Sequence, residues 1–148
     1  MRYIVEIRTL NRADAAAVRE SVASDKVASA LAAAFDEVSA VLEEQGIAIT
    51  GPAFARFTPG ADTFEIEAGF MVAAPVKPSG RVIATELPAC EAAVTLHEGA
   101  YSDVGNAYAA IDAWVEANGR RAEGAPWESY LSPPDAQPPR TEVFFPLA

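Results

Sequence analysis

Val38–Phe57 reads VSAVLEEQGIAITGPAFARF and Ile111–Tyr130 reads IDAWVEANGRRAEGAPWESY, and the two stretches keep step with one another. Gly46 and Gly119, Gly51 and Gly124, Phe54 and Trp127, and Phe57 and Tyr130 each stand 73 positions apart. Upstream, Ala16-Ala17-Val18 answers Ala92-Ala93-Val94 at 76 positions; downstream, Glu67 falls opposite Glu142 and Phe70 opposite Phe145 at 75. The small changes of offset are loop differences. A repeated order of weak matches is the signature of a duplicated structural unit.

Both halves carry the same succession of local patterns. Tyr3–Leu10 alternates and is rich in β-branched residues, and Ala15–Val22 follows as a second strand. Over Asp25–Gln45 the residues Val27, Leu31, Ala34, Phe35, Val38, Val41 and Leu42 recur at three- and four-residue steps. That spacing predicts a helix, with Ser24 as its N-cap and Gly46 as its stop. Phe54–Thr58 and Thr63–Val72 are predicted strands around the turn Thr58-Pro59-Gly60-Ala61-Asp62, and 73–80 is a linker. The second half predicts strands at Arg81–Leu87 and Cys90–His97, then a helix from Ser102 to Asn118 with Val104, Tyr108, Ile111, Trp114 and Val115 on its buried stripe. Strands at Trp127–Leu131 and Thr141–Leu147 close it. The proline-rich stretch 132–139 between them cannot join a ladder. The expected fold is α+β: a tandem β-β-α-β-β repeat whose antiparallel sheet carries two helices on one side, with a ligand groove between the repeats. Residues 1–148 form a single domain, with repeat one at 1–74, the linker at 75–80 and repeat two at 81–148.

Composition narrows what such a fold does. The chain has 148 residues, 51 % of them hydrophobic, enough to bury a core without staples. With 11 Lys+Arg against 21 Asp+Glu, the net charge of −10 argues against nucleic acid, which needs clustered cations. One cysteine, Cys90, permits no internal disulfide, and one histidine, His97, leaves no metal set of the usual kind. Met1-Arg2 runs straight into the first strand with no cleavable apolar segment, and no stretch reaches a membrane span. A soluble, cytoplasmic protein without a cofactor is expected. The phosphate-cradle, zinc-protease, dithiol and nucleophile-elbow motifs are all absent. Cys90 and His97 lie an odd number of residues apart on one predicted strand, so their side chains point to opposite faces and do not meet.

Carboxylates inside apolar strands are the remaining chemistry. Along the last strand, alternation puts Thr141, Val143 and Phe145 on the face under the helices and Glu142 with Phe144 on the other. Glu65 and Glu67 read first as residues of a solvated face, and Glu67 stays beside Glu142 as a candidate. A carboxylate among Trp127, Tyr130 and Phe144 loses several kcal/mol of hydration, which hydrogen bonds, protonation or a cation return. Trp127 and Tyr130 have opposite strand parity, so a regular strand turns only one of them to a groove. Tyr101, at the entrance of the second helix, faces either core or groove. Tyr108 and Phe54 complete the aromatic set. Burying about 300 Å² of apolar ligand at ~25 cal/mol/Å² contributes roughly 7 kcal/mol, cation–π contact ~0.5–2, and association costs at least ~4. The balance points to micromolar or weaker binding of flat, lipophilic cations.

The segments Pro52-Ala53-Phe54-Ala55-Arg56-Phe57, Phe64–Phe70, Glu98-Gly99-Ala100-Tyr101, Ala113-Trp114-Val115, Pro126-Trp127-Glu128-Ser129-Tyr130 and Thr141-Glu142-Val143 together resemble the GyrI-like domain family, which includes the effector-binding domains of AraC- and MerR-class regulators. The resemblance implies a duplicated β-β-α-β-β fold with a ligand cleft. It also implies that Glu142 contacts ligand, with Trp127 and Tyr130 helping to form the site. Where the family often has Gly-Pro-Tyr, this chain has Gly99-Ala100-Tyr101. No helix-turn-helix flanks the expected domain, so a stand-alone ligand-binding protein is expected, with a small molecule as partner and neither nucleic acid nor membrane.

The leading functional expectation is binding of lipophilic, aromatic or cationic small molecules by Glu142, Trp127, Tyr130, Tyr101, Phe144, Tyr108, Phe54 and Glu67. The resemblance also implies an alternative, since some stand-alone members hydrolyse cyclopropane-bearing, DNA-alkylating natural products. In that reading Glu142 activates the water, Tyr130 or Tyr101 holds the substrate carbonyl and Trp127 stacks on its flat ring system.

Overall fold

The computed structural model describes residues 3–59, 62–132 and 136–148. Met1-Arg2, the Gly60-Ala61 centre of the expected turn and the Pro133-Pro134-Asp135 part of the expected loop lie outside the described residues. The architecture is α+β and resolves into two compact units, Arg12–Pro88 and a second made of Met1–Asn11 with Ala89–Ala148.

The Arg12–Pro88 unit contains β2 (Ala13–Ala23), α1 (Val27–Gln45), β3 (Ile49–Pro59), β4 (Thr63–Val72) and β5 (Val82–Leu87). Its strands lie in the order β3-β4-β2-β5, each pair antiparallel. The predicted stripe of α1 is the buried one: Leu31, Ala34, Val38 and Leu42, at helical spacing, are 7 % exposed or less. Phe35 of α1 reaches Phe70 of β4, with ring centroids 5.8 Å apart. Alternation then fixes the faces of β4: Phe70 looks to the helix, and Glu65 and Glu67 look away from it. Gly46 ends α1 in the left-handed region at φ 67°, as its sequence position predicts. Ser24 does not cap the helix. It opens a short 3-10 turn, Ser24–Lys26, and no side chain caps either this turn or α1.

The second unit is built from β1 (Glu6–Leu10), β6 (Cys90–Glu98), α2 (Gly105–Ala117), β7 (Trp127–Tyr130) and β8 (Arg140–Pro146). The strand order is β1-β6-β8-β7, again antiparallel. Ala107, Ile111 and Val115 of α2 pack on Ala93, Val143, Phe145 and Leu147, with Trp114 at the margin. Ser102 lies in a 3-10 turn, Tyr101–Asp103, rather than at a helix N-cap.

Strand pairing departs from simple succession. β1 pairs with β6 and β5 pairs with β2, so each unit takes the opening strand of the other sequence half. Asn11-Arg12 and Pro88-Ala89 are the points where the chain passes from one unit to the other.

β2 and β4 approach unusually closely at Gly69. A Cβ there would lie 1.8 Å from the carbonyl oxygen of Ala16, so the backbone itself would have to shift. Gly69→Ala is therefore expected to destabilise the protein by about 3 kcal/mol, the upper range for overpacking. Urea unfolding measures it, and an unchanged midpoint would contradict the close approach.

Candidate functional site

The register between β7 and β8 decides which side chains meet. Trp127 lies opposite Phe144, Glu128 opposite Val143, Ser129 opposite Glu142 and Tyr130 opposite Thr141. Directly opposed residues share a face. Because Val143 packs against α2, Glu128 and Tyr130 belong to the helix-covered face, while Trp127, Ser129, Glu142 and Phe144 belong to the other. The candidates therefore divide into two groups.

On the helix-covered face, Glu128 is 3 % exposed and is held by three phenols. Tyr108, one turn into α2, donates to Oε2 at 2.5 Å. Tyr130, two residues along β7, donates to Oε1 at 2.9 Å, and Tyr101 donates to the same oxygen. The Tyr101 and Tyr130 hydroxyl oxygens also lie 2.8 Å apart and their rings 5.7 Å apart; each phenol has a single hydrogen, and with both given to Glu128 none is left for a bond between them. Tyr108 stands edge-on to Phe145 at 5.6 Å. Burial, and after it the neighbouring Glu128 charge, hold all three phenols well above the ordinary tyrosine value. They remain donors throughout the physiological range. Hydrogen bonds to a charged group contribute about 1.5–3 kcal/mol each. Three of them offset a desolvation cost of several kcal/mol.

What Glu128 lacks is a counter-charge. Among the described residues, no Lys, Arg or His stands within ion-pair distance of it. The other carboxylates of interest are neutralised. Glu67 accepts from Arg19 Nε and Arg56 Nε, both at 2.9 Å. Burial alone would raise its carboxyl, but the bonds from Arg56 and Arg19 outweigh burial and hold it below the usual range. Glu142 accepts from Arg8 Nη2 at 2.6 Å, and that guanidinium lies 5.8 Å from the Phe144 ring centroid. Trp127 in turn stacks on Phe144, with centroids 5.2 Å apart and planes 8° from parallel. Glu142 thus sits in aromatic company, but an arginine occupies its oxygen. Phe54 is fully buried on the face of β3 that carries Arg56.

Of the sequence candidates, Tyr101, Tyr108 and Tyr130 come together; Glu142, Trp127 and Phe144 form a separate cluster; Glu67 and Phe54 lie in the Arg12–Pro88 unit. The sequence reading does not single out Glu128. The signal that finds it is parity: a carboxylate two residues from Tyr130, on the strand face that Val143 shows to be covered. His97 is buried and packed, not solvated. Cys90 lies opposite Leu10 at the far end of β6, and burial raises its thiol, so the two form no nucleophile–base pair. Among the described residues no cluster of three or more His, Cys, Asp or Glu could hold a metal ion, and no helix is long and apolar enough to cross a membrane.

The sequence profile of the GyrI-like small molecule binding domain family matches residues 5–148. This chain belongs to that family. None of the curated proteins matches its sequence. The EcmrR C-terminal domain is similar in structure, with a TM-score of 0.87 at 22 % identity, covering 100 % of this chain and 99 % of that one. In the EcmrR–DNA complex the TM-score is 0.82 at 23 % identity; the match covers 98 % of this chain but spans only 57 % of the EcmrR chain. SAV2435 bound to tetraphenylphosphonium is similar at 0.67 and 13 %, covering 100 % of this chain and 94 % of that one. A hydrolase from Listeria innocua is similar at 0.69 and 15 %, covering 97 % and 91 %. At these identities the likeness is one of fold. The GyrI-like domain described here is a small-molecule-binding domain.

All four tyrosines of the chain, Tyr3 included, have raised phenols. In the unfolded chain they release protons near the ordinary value of about 10, whereas the folded state holds them. Stability should thus be unaffected by these groups below pH ~10 and should fall as pH rises beyond it. Denaturant midpoints measured across that range, with tyrosinate absorbance recorded in parallel, test this. Tyrosinate formation in the folded protein at the ordinary value, with no loss of stability, would contradict the burial of the cluster.

Proposed function

We propose that this GyrI-like domain binds lipophilic cations, and that Glu128, framed by Tyr101, Tyr108 and Tyr130, is the group that recognises the positive charge. The observation that carries the reading is the contrast among three buried or half-buried carboxylates. Glu67 and Glu142 are matched by arginines; among the described residues, Glu128 is matched only by neutral phenols. An ionised carboxylate so placed keeps its full charge in a low-dielectric setting, where attraction for an incoming cation is strongest. The tyrosine rings add quadrupolar faces suited to a cation without hydrogen-bond donors of its own. Tetraphenylphosphonium, the ligand of the structurally similar SAV2435, is a cation of that kind and serves as the probe.

The same geometry favours holding over hydrolysis. A general base needs an oxygen free to take a proton from water. In Glu128, Oε1 already accepts from two phenols and Oε2 from a third. Glu142, the acid that the hydrolase reading relies on, is engaged by Arg8. Phenols that rotate about single bonds form a more tolerant wall than a fixed ion pair, which supports binding of more than one aromatic cation.

Glu128→Gln removes the charge while keeping shape and most hydrogen bonding. Isothermal titration is expected to show affinity for tetraphenylphosphonium reduced about 10- to 100-fold, in line with loss of one partner of a desolvated charge pair. Affinity for the neutral triphenylphosphine oxide should stay within about twofold. Equal loss for both ligands, or loss on Glu142→Gln in place of Glu128→Gln, would overturn the assignment.

A further inference from the structure

We propose that His97 is a positioning residue for the Glu128 site, and that it acts by fixing the peptide group that carries Tyr101. The inference rests on the reading of Glu128 as the ligand-binding carboxylate and extends it to a residue that touches neither the ligand nor the carboxylate. His97 lies at the end of β6 and is 2 % exposed. Its Nε2 is 2.8 Å from the carbonyl oxygen of Ala100, and its Nδ1 is 2.7 Å from the hydroxyl of Tyr3. A carbonyl only accepts, so Nε2 carries the proton; in the neutral ring Nδ1 then accepts from Tyr3. The Tyr3 ring stacks on the imidazole at 5.9 Å and 23°, which leaves the histidine little freedom.

The carbonyl that His97 holds belongs to the peptide bond linking Ala100 to Tyr101. Peptide planarity means that fixing this oxygen also fixes the backbone nitrogen of Tyr101. The same oxygen accepts the Asp103 N–H at 3.0 Å, which closes the 3-10 turn on which Tyr101 stands. Just upstream, Gly99 turns the chain with φ 145°, a conformation that costs glycine little, and its N–H donates to Pro139 at 3.0 Å. Tyr101 itself is 40 % exposed, so packing on its ring holds it less firmly than a core residue. Its hydroxyl nevertheless reaches Glu128 and Tyr130. The imidazole below supplies the missing constraint. Tyr108 and Tyr130, by contrast, are set directly by α2 and β7 and have no need of it.

Two near-isosteres separate the two ring nitrogens. His97→Gln keeps an N–H at the position of Nε2, so it retains the bond to Ala100. His97→Asn keeps an acceptor at the position of Nδ1, so it retains Tyr3 but falls short of Ala100. The expected result is a loss of about fivefold in tetraphenylphosphonium affinity for His97→Asn, the worth of one neutral hydrogen bond, and less than about twofold for His97→Gln. In a Tyr101→Phe background the asparagine penalty should disappear, as expected for a residue acting through Tyr101. Equal losses for both variants, or an undiminished penalty without the Tyr101 hydroxyl, would overturn the proposal.

A readout without ligand keeps this claim separate from the reading of Glu128. With ring-labelled tyrosine, the NMR signal of Tyr101 should move in His97→Asn and remain in place in His97→Gln, while that of Tyr108 stays put in both. If His97→Asn does not fold, Tyr3→Phe, which loosens the imidazole without removing it, should move the Tyr101 signal in its place. A Tyr101 signal indifferent to these changes overturns the positioning role even where wild-type binding is intact. A Tyr101 signal that responds, in a protein that binds no cation, supports the positioning role and overturns only the proposed function.

Discussion

A carboxylate that leaves water must be given donors, a cation or a proton, and this chain solves the problem in two different ways. On the faces turned from the helices, Arg19 and Arg56 reach Glu67 from the two strands beside it, and Arg8 reaches Glu142 across the intervening β6. On the face under α2, Glu128 receives three phenolic hydrogens and, among the described residues, no positive charge. The first arrangement is electrically closed. The second satisfies hydrogen bonding while leaving a unit of negative charge unmatched. The proposed cation recognition at Glu128 starts from that difference, and the proposed positioning role of His97 is built on it.

Placing the charge depends on strand register more than on the individual residues. A one-residue slip of β7 against β8 would move Glu128 to the open face and bring Ser129 under α2. The tyrosines come from three separate elements: the turn after β6, the second helical turn of α2, and β7 itself. Their convergence requires that α2 sit squarely on Ala93, Val143 and Phe145. Core packing and the site are therefore one construction, and the apolar stripe of α2 is what aims Tyr108.

Much of this was legible in the sequence. The helical stripes, the Gly46 stop and the split of Val143 and Phe145 from Glu142 and Phe144 all follow from local periodicity, which tertiary structure here does not override. So does the conclusion that Trp127 and Tyr130 face opposite ways, since β7 runs without a bulge. The tyrosines of the site are likewise legible as aromatic candidates. The aromatic surroundings that the sequence predicts for Glu142 are present: Trp127 stacks on Phe144 beside it. What local pattern does not contain is the identity of its partner. Arg8 reaches Glu142 across 134 positions because β1 joins β6 and not its sequence neighbour β2. No periodicity encodes which strand an edge strand will join. Glu128, in turn, was hidden between two conspicuous aromatics, although its parity marked it as covered.

The most direct test of the central claim is to locate a bound cation by its own scattering. Crystals grown with tetraphenylarsonium, an analogue of the phosphonium probe, would show arsenic as an anomalous difference peak. The account predicts a peak within about 6 Å of the tyrosine rings that surround Glu128, the range of cation–π contact, and its disappearance in Glu128→Gln crystals. A peak beside Arg8, Glu142 and Phe144, or one that persists when Glu128 is neutralised, would contradict it.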